Sequence, residues 1–354
     1  MRTRANALVL WTLVAGASGA LTACGGGGGG SGSSTDSGSR SVSAPAPPTP
    51  PDARSGTYTM VAADAHEYSL ALDFDATTYH VTGNGVDQSG AIQADGAAYD
   101  FLPGNASGVS GSPTTRFSYA ASTVVGEFVL AGGTVPFIAS RTFATSLPTS
   151  TLTFNMLGRT VDTAAGTADT TIQQGQVTAD GRLLTCDDIN VVEIRACPAA
   201  SLTSGALSIS GDVITAATSG GNIPFRLATV GTDTVFLRSS VSLGTTRRFI
   251  VGLPAASTFT AGTFAGGTTE PAWGSVTLGT TAFASTGVSP AGVTTTRTGT
   301  ASPRGAVNSL ASLLFVQTST AGDFYATAGG QIGAVVAVRS SAFAPGFMAL
   351  GMRQ

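Results

Sequence analysis

Tyr68-Ser69-Leu70-Ala71-Leu72-Asp73-Phe74 sets Tyr68, Leu70, Leu72 and Phe74 at every second position. Side chains alternate between the two faces of a strand, so this run buries one face and wets the other. The same cast returns in Tyr58-Thr59-Met60-Val61, Tyr79-His80-Val81-Thr82 and Phe117-Ser118-Tyr119. Past Ser55 no apolar run keeps a helical period. Between the runs stand Asp75-Ala76-Thr77-Thr78, Gly83-Asn84-Gly85, Ala94-Asp95-Gly96 and Ala179-Asp180-Gly181, three of them with the Asn-Gly or Asp-Gly pair that closes tight hairpins. The chain is therefore read as all-β, with sequential strands paired as antiparallel meanders.

Laid against itself, the chain divides into three β units, residues 55–147, 148–254 and 255–354. Thr57-Tyr58-Thr59-Met60, Thr151-Leu152-Thr153-Phe154 and Thr258-Phe259-Thr260-Ala261 open them. Near their ends stand the apolar runs Val135 to Arg141, Arg247 to Leu253 and Gly333 to Arg339, preceded by Val124 to Leu130, Thr234 to Arg238 and Asp323 to Ala328. The repeat is approximate, with spacings of about 85 to 110 residues. Each unit has room for seven or eight strands, enough for a small barrel or a two-layer sandwich, and both remain open.

The first 54 residues have another character. Arg2 and Arg4 precede an apolar run, Ala5 to Val14, too short to span a bilayer, which thins into small residues before Leu21-Thr22-Ala23-Cys24. This resembles the signal and lipobox of bacterial lipoproteins. The resemblance implies that residues 1–23 are removed, that Cys24 carries the lipid, and that the membrane is a partner through that anchor. Several acyl chains hold a protein stably where one does not. Gly25 rather than Asp after the cysteine implies outer-membrane placement, facing the periplasm or the cell surface. Residues 24–54 are rich in Gly, Ser and Pro and read as a disordered tether, with a coil span of roughly 30 Å and a taut limit near roughly 100 Å.

Composition narrows the function. The chain has 354 residues, and all 17 basic ones are arginine. Taking Arg2 and Arg4 from those 17 leaves 15 against 20 acids, a net of −5, with no basic cluster. Nucleic acid is therefore not an expected partner. A transmembrane barrel is disfavoured by the anchor, the tether, 7% aromatics and a C-terminus lacking a terminal aromatic. With Cys24 lipidated, Cys186 and Cys197 remain as one even pair in an exported chain, and a disulfide between them is expected; two separate thiols are the alternative. The stretch between them, Asp187 to Ala196, reads as a turn feeding a short strand.

No catalytic, metal or cofactor constellation is legible. His66 and His80 have no second histidine or cysteine at ligand spacing, no Gly-x-Ser-x-Gly elbow occurs, and a serine-lysine site has no lysine to use. Asp73 and Asp75 share a strand face, and Asp187 and Asp188 sit at a turn; both pairs read as solvated carboxylates before cation ligands. Ser219-Gly220-Gly221-Asn222 lacks the helix that a phosphate loop needs. Trp273 reads as a core residue. The expected protein is a non-enzymatic, lipid-anchored binding or structural module of the envelope. The alternatives are a barrel that carries a small apolar ligand and an envelope hydrolase. A roomy apolar cavity with a few converging polar groups points to the carrier, filled interiors with an exposed apolar patch to protein binding, and carboxylates clustered in a cleft to the enzyme.

Overall fold

Strands β1 (Gly56–Ala62), β2 (Glu67–Asp73), β3 (Thr78–Gly83), β4 (Val86–Asp95), β5 (Ala98–Pro103), β6 (Thr115–Ala120), β7 (Thr123–Leu130) and β8 (Gly133–Ser140) follow one another as antiparallel neighbours. Pairing of β8 back onto β1, from Thr59↔Ser140 to Ala62↔Phe137, closes them into a barrel. A second barrel runs through β9 (Leu152–Asp162), β10 (Thr167–Val177), β11 (Arg182–Cys186), β12 (Leu202–Ser210), β13 (Val213–Thr218), β14 (Gly221–Val230), β15 (Asp233–Leu243) and β16 (Thr246–Pro254). The third comprises β17 (Gly262–Thr268), β18 (Trp273–Leu278), β19 (Ala282–Val288), β20 (Thr294–Pro303), β21 (Leu313–Thr318), β22 (Asp323–Ala328), β23 (Ile332–Ala337) and β24 (Met348–Arg353). The units are thus barrels and not sandwiches.

The structure is a computed structural model and describes residues 50–104, 115–130, 133–188, 193–270, 272–303, 310, 312–318, 322–338 and 345–354, with 241–243 described by backbone alone. The expected signal, Cys24 and most of the tether lie outside the described residues. Among the described residues there is no α-helix and none that could cross a membrane.

The hairpins form where turn chemistry permits them. Asn84 and Gly85 take φ of 49° and 79°, which suits the primed turn joining β3 to β4. Asp73 Oδ1 accepts from the backbone N–H groups of Asp75 (3.0 Å) and Ala76 (2.8 Å), closing the next turn back. Cys186 and Cys197 are bonded, with Cα atoms 5.8 Å apart. Closing so short a loop contributes about 2–3 kcal/mol. The described part of that loop holds a 3₁₀ turn, Ile194–Ala196, and most of the stretch expected to form a short strand lies outside the described residues.

The apolar runs near the unit ends are strands buried on both faces. Inward residues of β7, β8, β9 and β16 fill their own barrels. Outward Val125, Ile138, Leu157, Phe249 and Val251 join Tyr325, Met348 and Leu350 of the third barrel in one continuous core between barrels. Polar bonds cross the same seams: Asn155 Nδ2 donates to Ser312 Oγ at 2.8 Å, and Arg226 Nη1 pairs with Glu67 at 2.5 Å. In the third unit the matched run lies on β23, the seventh strand, and Thr258 to Ala261 precedes β17 in irregular chain. β23 resembles a last strand because it too is buried on both faces, whereas the barrel closes one strand later, with β24 on β17.

Candidate functional site

The interiors differ. In the first barrel, Phe101 stands 4.5 Å from Phe117, 4.8 Å from Tyr79 and 5.1 Å from Phe128 between ring centroids, and the space is filled. In the third barrel the register aligns Phe264 with Val276, Val276 with Ser285 and Ser285 with Arg297 around the inner wall. The next places carry glycine: Gly266 opposite Gly351 and Gly274 opposite Gly287. A Cβ at Gly266 would lie 1.7 Å from the Leu350 carbonyl oxygen, and one at Gly274 1.8 Å from that of Thr286, so close backbone approach excludes side chains there. With those places bare, a cavity of about 290 Å³ remains, walled by Phe264, Phe283, Phe324, Phe347, Val276 and Val335. This is near the lower end for small-molecule sites.

Polar groups converge at one end. Arg297 Nη2 donates to Glu270 Oε2 at 3.0 Å, and the guanidinium lies 5.8 Å from the centroid of the Phe347 ring. The Arg297 side chain is 18% exposed and that of Glu270 40%, so the pair bridges cavity and solvent. Ser285, Thr268 and Thr295 add hydroxyls to the lining, and Val293, which is 62% exposed, marks the opening. The arrangement accommodates an apolar body inside and a polar end at the rim.

No protein-family model, curated protein or solved structure matches this chain. The site is therefore read from its own geometry.

The residues singled out in the sequence lie elsewhere. His66 Nδ1 sits 3.2 Å from the Asp64 carbonyl oxygen, and His80 Nε2 sits 2.7 Å from Asp87 Oδ1 on the outside of the first barrel. Asp73 caps its turn, while Asp75 accepts the Asp52 N–H at 2.9 Å. Asp187 approaches Arg248 at 3.9 Å, and Asp188 accepts from Ser201 Oγ at 3.4 Å. Trp273 is half-buried at the start of β18 and faces away from the cavity, because the inward place beside it belongs to Gly274. Ser219 and Gly220 form the tight turn between β13 and β14. Among the described residues no group of three or more His, Cys, Asp or Glu is placed to hold a metal. The cavity residues Phe264, Phe283, Glu270 and Arg297 are not distinctive in sequence. The available signal is glycine recurring inside apolar β runs of the third unit.

Proposed function

We propose that this chain is a non-enzymatic, lipid-anchored envelope protein whose third barrel holds a small, mainly apolar molecule with a polar end. The observation that carries the reading is the open, phenylalanine-walled cavity with the Arg297–Glu270 pair at its rim. Among the described residues the exposed large apolar side chains, Val129, Leu202, Val288 and Val293, are spread over all three barrels, which favours a ligand inside a barrel over a protein docked outside.

N-phenyl-1-naphthylamine tests the cavity, since its emission rises on leaving water. Saturable enhancement is expected with the wild-type chain and at least about a tenfold weaker affinity with Gly287→Leu. A Cβ at Gly287 meets only Ala272 Cβ, at 3.3 Å, so the added side chain has room to enter the cavity without striking backbone. Absence of saturation, or equal affinity in the variant, rejects the proposal. The anchor is tested separately: palmitate labelling is expected in wild type and absent in Cys24→Ala, and an unlabelled wild type removes the lipid from the account.

A further inference from the structure

The second barrel hides two arginines on its inner wall. Arg238 on β15 stands opposite Ile250 of β16, which belongs to the apolar cluster inside this barrel, so Arg238 faces inward with it. Arg248, two residues before Ile250, shares that face and stands between Ser240 on one side and Thr160 on the other. The two guanidinium stems are diagonal cross-strand neighbours, within reach of one another's heads.

Their partners fall short of their charge. Arg238 is 7% exposed, its Nε donates to Ser240 Oγ at 2.7 Å, and among the described residues no carboxylate forms an ion pair with it. Arg248 Nε is buried with no hydrogen-bond partner, and the carboxylate of Asp187 is 3.9 Å away. Asp169, on the far side of Thr160, turns Oδ1 back to the Thr170 N–H at 2.7 Å. Thr160 and Thr171 join hydroxyls at 2.9 Å beside the pair. Burial first, and the nearby Arg248 charge second, pull the Arg238 guanidinium down to about 10. A neutral residue would cost this barrel less than a buried cation without a counterion.

We infer that the second barrel binds an oxyanion, the phosphate or carboxylate of a small molecule, between Arg238 and Arg248. Guanidinium forks suit both groups, and the hydroxyls of Ser240, Thr160 and Thr171 supply further donors. The Arg248 side chain is 28% exposed and that of Asp187 36%, so the anion enters from the end that Asp187 rims and meets Arg238 below. The Cys186–Cys197 bond fixes the chain beside Asp187 and so holds this rim. The site is independent of the third barrel's cavity.

The test is thermal unfolding of the purified full chain at constant ionic strength, with chloride replaced by inorganic phosphate or by acetate. A saturable rise in Tm is expected, about 2–4 °C for each tenfold of anion above half-saturation. Arg238→Met and Arg248→Gln should each remove most of it. Response to one anion keeps the site and names its head group. Absence of any rise, or a rise of equal size in the variants, overturns the site, because general salting acts on every variant alike. Should Arg238→Met fail to fold, Arg248→Gln at the rim carries the same comparison.

Discussion

Raising the pH from about 5 to about 9 should cost the folded chain several kcal/mol, and Glu127→Gln should remove most of that cost. Glu127 lies on the outer face of β7, where the first barrel meets the third, and is 3% exposed. Its Cβ would stand 2.5 Å from a Cβ at Gly267, so β17 packs directly on it. Burial pushes the carboxyl from 4.5 up to about 8, and the Thr268 N–H and the Arg116 charge recover only part of that. The folded value lies above the unfolded one. The contribution to stability is therefore fully present below about 4.5, is lost as pH rises through about 8, and is level beyond. At about 1.4 kcal/mol per pH unit the full span is of order 3–5 kcal/mol. Asp100, also raised by burial, acts in the same direction. Asp52, held at about 2 by Arg54, acts oppositely and only in stronger acid. Gln keeps the size and the acceptor for Thr268. Urea midpoints measured across this range should fall steeply for wild type and much less for the variant, which keeps only the smaller contribution of groups such as Asp100. A flat wild type, or a variant with the wild-type slope, refutes the assignment.

Local features of the fold are legible in sequence and closure is not. Alternation in Tyr68 to Phe74 and the Asn84-Gly85 turn are set by near neighbours, so β2, β3 and their hairpins follow from the residues themselves. The runs at Val135, Arg247 and Gly333 carry a subtler message. They are apolar on both faces because each strand lines a barrel on one side and a neighbouring barrel on the other, and such strands lose the alternating pattern. That same loss makes β23 resemble a last strand and hides β24. Barrel against sandwich is decided by pairs such as Met60↔Ala139, across a separation that no turn residue encodes. The third barrel's cavity depends on which glycines face inward, and the paired arginines on Arg238 sharing a face with Ile250. Both are matters of register, and a one-residue slip would turn each of them outward.

Phe101→Ala should be among the most damaging single changes in the chain, and Phe283→Ala markedly milder, although both remove an inward phenylalanine from an eight-stranded barrel. Phe101 is 1% exposed and its ring stands within 6.4 Å of those of Tyr79, Phe117, Phe128 and Phe137, centroid to centroid. Truncation there leaves a closed void that the surrounding rings cannot collapse into, and costs about 3–5 kcal/mol. Phe283 is 5% exposed and stacks on Phe324 at 6.1 Å, but its other side borders the cavity. Alanine there enlarges a space that already opens to solvent, so the loss is mainly one of transfer energy and falls toward about 2–3 kcal/mol. Ligand binding should respond in the reverse order, with N-phenyl-1-naphthylamine affinity falling in Phe283→Ala and holding in Phe101→Ala wherever the latter remains folded. Urea midpoints and probe titrations on the two variants distinguish the barrels: equal losses of stability would mean that the third interior is packed like the first, and no cavity would then be left to hold a ligand.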